Sequence, residues 1–186
     1  MTDAMAPDVV SAKLARRFKL LDRDGNGYLE ESDYEELVRR LTAAFGRDID
    51  TAPGSTLRAA YLGLWSAMRS TMDTDGDGRI SEEEFLATVR DSVVDQNDGF
   101  EGVIQPVAEA VLAVCDVDGD GMLDQREVTT MLGAYGVPAA EAGETFARLD
   151  HDHDGRLTIQ EITTAAREFY CSTNDDAPGN WFYGRP

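Results

Sequence analysis

The chain has 186 residues, 42% of them hydrophobic, and carries 17 Lys+Arg against 36 Asp+Glu, a formal net charge of −19 at pH 7. That excess repels phosphates and anionic lipid surfaces, which argues against nucleic-acid and membrane partners and leaves cations and basic protein segments. The apolar residues are too many and too regularly spaced for a disordered acidic tail.

Met1 to Val10 has neither a basic start nor an apolar run and does not read as a secretion signal. Nothing further along approaches the roughly 20 apolar residues that cross a bilayer. Leu14, Phe18 and Leu21 follow at the spacing of one helix face and lead into an Asp/Gly-rich stretch, Asp22 to Asp33. A second periodic helix carries Tyr34, Leu37, Val38 and Leu41. Gly46 to Gly54, with Pro53, reads as a loop.

The same unit then recurs three times, and such a repeat outranks any local reading. Trp65, Met68 and Met72 precede Asp73 to Glu84, with Phe85, Leu86 and Val89 after it. The turn-rich Asp95-Gln96-Asn97-Asp98-Gly99 comes next, so no continuous rod is expected between the second and third units, and a boundary falls near residues 95 to 102. Val111, Leu112 and Cys115 precede Asp116 to Glu127, followed by Val128, Met131 and Leu132. Gly136 and Pro138 make a tight connection, with Pro138 placed to start a helix. Phe146 and Leu149 precede Asp150 to Glu161, followed by Ile162, Ala165 and Phe169. These stripes read as core packing.

The four acidic stretches share one frame. A hard cation of calcium's size takes six to eight oxygens, and a 12-residue loop supplies them from side chains at positions 1, 3, 5 and 12, a carbonyl at 7 and often a water held at 9. Position 6 turns with positive φ and is glycine. Loop two has Asp73, Asp75, Asp77, Gly78, the Arg79 carbonyl, Ile80, Ser81 and Glu84. Loop three has Asp116, Asp118, Asp120, Gly121, the Met122 carbonyl, Leu123, Asp124 and Glu127. Loop four has Asp150, Asp152, Asp154, Gly155, the Arg156 carbonyl, Leu157, Thr158 and Glu161. Loop one has Asp22, Asp24, Asn26, Gly27, the Tyr28 carbonyl, Leu29 and Glu30, and ends in Asp33.

The frame identifies four EF-hands and up to four Ca²⁺ sites. Asp33 is one methylene shorter than Glu and is expected to reach an ion with one oxygen unless its helix moves inward. Lower coordination favours Mg²⁺, so the Asp22–Asp33 loop is expected to be the weakest calcium site and the most magnesium-tolerant. Position 8 residues are expected to pair across short β-bridges, Leu29 with Ile80 and Leu123 with Leu157. Without cations the clustered carboxylates repel, so the metal-free chain is expected to be loosened.

The expected fold is all-α: four EF-hands in two paired lobes packed compactly. Residues 1–95 form the first pair, 103–170 the second, and 171–186 an aromatic tail that packs back into the protein's own cleft. His151 and His153 hold loop positions whose side chains point away from an ion. No nucleophile–base arrangement is legible, so no enzyme is expected. Cys115 and Cys171 fit no zinc spacing, and Cys115 reads as a buried thiol. The reading places the chain in the cytoplasm as a monomer. Only Lys13 and Lys19 are lysines; that bias towards arginine, with many alanines, suggests a GC-rich bacterial genome.

The loops, their uneven spacing and above all the tail Asp175-Asp176-Ala177-Pro178-Gly179-Asn180-Trp181-Phe182-Tyr183-Gly184 resemble the sarcoplasmic calcium-binding proteins and their bacterial calerythrin relatives. The resemblance implies a compact pair of EF-hand pairs that buffers calcium, with magnesium competing at some sites. It also implies at least one degenerate loop, in calerythrin the second, whereas loop two is intact here. The tail and the scarcity of Met (six, two of them Met1 and Met5) favour a buffer. The alternative is a sensor whose acidic surface takes a basic amphipathic target helix.

Overall fold

The computed structural model describes residues 9–94 and 98–185. Among these residues eight α-helices and four two-residue strands follow one another: α1 (Val9–Leu21), β1 (Tyr28–Leu29), α2 (Glu31–Ala44), α3 (Gly54–Met72), β2 (Ile80–Ser81), α4 (Glu82–Val94), α5 (Asp98–Cys115), β3 (Leu123–Asp124), α6 (Gln125–Tyr135), α7 (Ala139–Leu149), β4 (Arg156–Leu157) and α8 (Ile159–Cys171). The fold is all-α, as expected. Each acidic loop lies between two helices and carries one strand.

Local chemistry sets the boundaries. Asp124 and Thr158 cap α6 and α8, accepting the N–H of Glu127 at 2.8 Å and of Glu161 at 3.2 Å. Such caps satisfy amides that the first helical turn leaves without partners. α6 stops at Gly136, whose φ of 94° closes the last turn, and α7 starts directly after Pro138. One boundary departs from the sequence reading. α5 begins at Asp98, so Asp98 and Gly99 are helical and not part of a turn. Asp and Gly weigh little against a helix at its first turn; the packing of Val107, Ala108, Val111 and Val114 into the core outweighs the local turn signal.

The strands pair as the position 8 residues predict. β1 and β2 are antiparallel with Leu29 opposite Ile80, and β3 and β4 with Leu123 opposite Leu157. All four leucine and isoleucine side chains are buried. The helical stripes read from the sequence face one continuous core. Phe18 meets Phe85 at 5.8 Å between ring centroids, and Tyr34 meets Trp65 at 5.6 Å. The two halves interleave: α3 runs along α5 and α2 along α6.

Beyond α8, Pro178–Trp181 forms a 3₁₀ turn against α7 and α8. Gly179 is required there, because a Cβ would sit 2.5 Å from the Ala165 carbonyl oxygen. Of the three consecutive aromatics only Tyr183 is buried. Its ring stands edge-on to Phe169 at 5.0 Å and to Tyr135 at 5.4 Å. Trp181 stays half-exposed, with the Arg148 guanidinium 4.0 Å from its ring centroid.

Helix α1 holds this segment with basic side chains that its apolar stripe conceals. Lys13 is fully buried and donates to the carbonyls of Glu168 at 3.1 Å and Ser172 at 3.0 Å, and to Asn180 Oδ1 at 2.8 Å. Burial lowers its pKa to about 8, opposed by Cys171 and Glu168. Arg16 Nε donates to the Tyr183 carbonyl at 2.9 Å. The stripe Leu14, Phe18, Leu21 gave no warning that Lys13 and Arg17 are buried beside it. Their acceptors and ring contacts come from residues more than a hundred positions away.

Candidate metal centres

Each loop folds around its own carboxylates in the same way. The position 1 Asp accepts two backbone N–H groups further along its loop. Asp22 takes Asn26 at 3.1 Å and Gly27 at 3.0 Å; Asp73 takes Gly76 at 2.8 Å and Gly78 at 3.0 Å. Asp116 takes Gly119 at 2.6 Å and Gly121 at 2.9 Å, and Asp150 takes Asp154 at 3.2 Å and Gly155 at 3.0 Å. The position 3 residues Asp24, Asp75, Asp118 and Asp152 accept the N–H of position 5. The position 5 residues Asn26, Asp77, Asp120 and Asp154 each accept the N–H of position 7 at 2.8 Å, from Tyr28, Arg79, Met122 and Arg156. Backbone amides thus orient these oxygens and offset part of their mutual repulsion.

The result is four clusters of carboxylate oxygens, each within 4.8 Å: Asp22, Asp24, Asp33; Asp73, Asp75, Glu84; Asp116, Asp118, Glu127; and Asp150, Asp152, Glu161. Positions 1, 3 and 12 therefore converge in every loop. The side chains at positions 5 and 9 lie within the internal hydrogen bonds. An all-oxygen, anionic donor set of this kind suits a hard divalent cation.

The last residue closes each loop by bridging its two ends. Glu127 accepts the N–H of Val117 at 2.7 Å with Oε1 and of Asp124 at 2.9 Å with Oε2. Glu84 bridges Thr74 and Ser81 at 2.9 Å each, and Glu161 bridges His151 at 3.1 Å and Thr158 at 2.8 Å. Asp33 makes the same bridge, to Arg23 at 3.4 Å and Glu30 at 2.9 Å, so the shorter side chain stretches one link. The electrostatics follow. Hydrogen bonds from Ser81, then from Thr74, hold the Glu84 carboxyl down to about 2. Burial pushes Glu161 up, but donors at Thr158 and His151 bring it below the usual range. Asp33 is raised by burial; the amides of Glu30 and Arg23 oppose this, while Asp24 and Asp22 add to it.

Sequence reasoning missed a second conformational demand. Position 4 also turns through positive φ: Gly25 at 71°, Gly76 at 76° and Gly119 at 78°. In loop four His153 takes the same conformation at 58°. The recurring glycine at position 4 was the available signal, and His153 broke it. Both histidines are exposed, and His151 Nδ1 lies 3.1 Å from the Leu149 carbonyl. The paired loops also touch through their arginines. Arg156 of loop four contacts Asp120 of loop three, and Arg79 of loop two binds Asp77 at 2.8 Å while stacking 4.0 Å from the Tyr28 ring centroid of loop one.

Comparison with known proteins agrees with this geometry. The family description of an EF-hand domain pair matches residues 11–90, and that of a single EF hand matches 143–164. Calerythrin of Saccharopolyspora erythraea is 34% identical over 176 residues, covering 94% of this chain and 97% of its own. A Streptomyces coelicolor calcium-binding protein of known structure is 32% identical with a TM-score of 0.80, covering 89% of this chain and 99% of that one. A sarcoplasmic calcium-binding protein from amphioxus has the same fold at 18% identity, with a TM-score of 0.74 and coverage of 97% and 99%. No helix among the described residues is long and apolar enough to cross a membrane. The chain belongs to the calerythrin and sarcoplasmic calcium-binding protein family: it is a calcium-binding EF-hand protein and not an enzyme.

Proposed function

We propose that the protein is a cytoplasmic, monomeric calcium buffer with four occupied sites, the first of which also takes Mg²⁺. The residues at positions 1, 3, 5, 7, 9 and 12 of each loop are the proposed ligands, with position 7 acting through its carbonyl. The observation that carries the buffer reading is the tail. A calcium sensor opens an apolar cleft for a target; here Tyr183 lies against Phe169 and Tyr135. Lys13 and Arg16 tie the surrounding backbone to α1. A loaded protein that keeps this contact has no free groove to offer.

The second reading, a sensor, has one specific support. The Streptomyces coelicolor relative was solved as the structural basis of prokaryotic calcium-mediated regulation. The acidic surface would suit a basic amphipathic helix.

Calorimetric titration with calcium, with and without millimolar magnesium, tests stoichiometry and competition. Trp181 fluorescence and binding of an apolar dye, followed through the same titration, separate the two readings. A buffer holds Trp181 against Arg148 and takes up no additional dye when calcium replaces magnesium. Release of Trp181 to solvent with a rise in dye binding would establish the sensor instead. A truncation lacking residues 178–186 provides the dye-positive reference.

A further inference from the structure

Arg47 lies between the two hands of the first pair, yet its half-buried side chain ends on the third hand. Its Nη2 donates to the carbonyl of Asp116 at 2.9 Å and its Nε to that of Val114 at 3.4 Å. Those carbonyls lie where α5 ends, and the last turn of α5 has no basic residue of its own. The final carbonyls of a helix lack partners within it, and a cation suits that negative end. Asp116 is also position 1 of loop three, where its two carboxylate oxygens accept the N–H of Gly119 and Gly121. Arg47 therefore fixes the backbone from which the first proposed ligand of loop three extends.

The end of α2 holds Arg47 in this place. Gly46 turns through a φ of 61°, its N–H donates to the Ala43 carbonyl at 3.1 Å, and the Arg47 N–H donates to the Thr42 carbonyl at 2.8 Å. This pair of hydrogen bonds closes the helix, so Arg47 is a fixed extension of α2. Tyr34, Leu37, Val38, Leu41 and Thr42 are all buried, which makes α2 move as one piece. In its first turn α2 carries Asp33, position 12 of loop one. Its 14 residues span roughly 20 Å. α2 also packs along α6, the helix that leaves loop three. One helix thus starts in loop one and grips hand three on both sides of its loop, α6 by packing and α5 through Arg47.

We propose that α2 and Arg47 form a strut that couples sites one and three across the two pairs, with Arg47 a positioning residue for Asp116. The strut rests on the four-site reading given above. Its sign is positive. Asp33 joins Asp22 and Asp24 within 4.8 Å in the same structure in which Arg47 holds Asp116. An ion at site one favours that closed arrangement and with it the grip on Asp116. The linkage is reciprocal, so filling site three tightens site one by the same factor.

Full-length protein labelled at its glycine nitrogens reports each site by nuclear magnetic resonance through its position 6 amide, Gly27 for site one and Gly121 for site three. Calcium is titrated against a chelator in four forms: unsubstituted, Asp22→Ala with Asp24→Ala, Arg47→Met, and the three substitutions together. With Arg47 in place, disabling site one should weaken calcium binding read at Gly121 by about fivefold or more. In the Arg47→Met background the same disabling should change it by less than about twofold, because the link is gone. Arg47→Lys keeps a cationic donor and should retain most of the dependence, which a purely space-filling role for Arg47 would not predict. Site three indifferent to site one overturns the strut, and so does a dependence undiminished in Arg47→Met. The comparison made with Arg47 intact, and the Arg47→Lys form, decide the matter even where Arg47→Met does not fold. No calcium response at Gly27 and Gly121 would overturn the four-site reading and the strut with it; responses at both without dependence overturn the strut alone.

Discussion

In loops two, three and four the ninth residue is short (Ser81, Asp124 or Thr158) and accepts the N–H of a twelfth residue that is Glu. In loop one the lengths are exchanged: the ninth residue is Glu30 and the twelfth is Asp33. Asp33 N–H donates to the Glu30 backbone carbonyl at 3.1 Å, and the Glu30 carboxylate accepts from Asn26 Nδ2 at 3.1 Å. Asp33 still joins Asp22 and Asp24 within 4.8 Å. A short side chain at position 12 therefore does not remove the site. It transfers reach from one end of the α2 start to the other, and the loop trades a bidentate partner for one long carboxylate at position 9. The proposed Mg²⁺ tolerance of loop one rests on this exchange, because fewer ligand oxygens suit the six-coordination that Mg²⁺ demands.

The largest expected effect comes from removing metal altogether. A site held at about a hundred times its Kd adds about 2.7 kcal/mol to stability, so four proposed sites together rival the roughly 5–15 kcal/mol that folds a typical domain. Thermal melts in chelator, in magnesium and in calcium measure this. Chelation should lower the melting temperature by about 5–10 °C for each site lost, and magnesium alone should restore only the share belonging to loop one. Equal rescue by the two ions would erase the distinction between the loops.

Single substitutions come next. Glu127→Gln should weaken site three about a hundredfold, whereas Asp33→Asn should cost site one only about tenfold, because Glu30 still supplies charge. Calorimetry on each variant gives both numbers, and comparable losses would mean that Asp33 acts as a full position 12 ligand. Smaller still is the exchange Glu30→Ser with Asp33→Glu, which rewrites loop one in the pattern of the others. Its preference for calcium over magnesium should rise about tenfold, or about 1.4 kcal/mol. A competition titration showing no change would place the selectivity elsewhere.

The smallest effect concerns loop four. A non-glycine residue in the left-handed region costs roughly 1–2 kcal/mol, against roughly 0.5–1 kcal/mol for the entropy of glycine. His153→Gly should therefore stabilise the loaded protein by about 0.5–1 kcal/mol, read as a small rise in melting temperature, and Gly119→His should do the reverse in loop three.

Much of the site was legible because an EF-hand loop is local. The carboxylates at positions 1, 3 and 12 lie within one short segment and converge through hydrogen bonds to that segment's own amides. Position 8 could also be paired in advance, since Leu29 and Ile80 are both apolar and both follow the turn glycine. The left-handed demand at position 4 went unread because His153 interrupts a run of three glycines. The start of α5 went unread because Asp98 and Gly99 carry a turn's composition, and composition does not register the burial of Val107 and Val111 further along.

By itself the amino-acid sequence determined the repeat, the oxygen donors and the helices that hold them, because each rests on contacts within a few residues. Only the tertiary structure decided that Lys13 is buried, that Arg17 lies under the Tyr183 ring and that the tail returns to α1. A basic residue beside an apolar stripe reads as solvent-facing by its own chemistry. What reverses that reading is an acceptor or ring face delivered from the far end of the chain, which no local pattern announces.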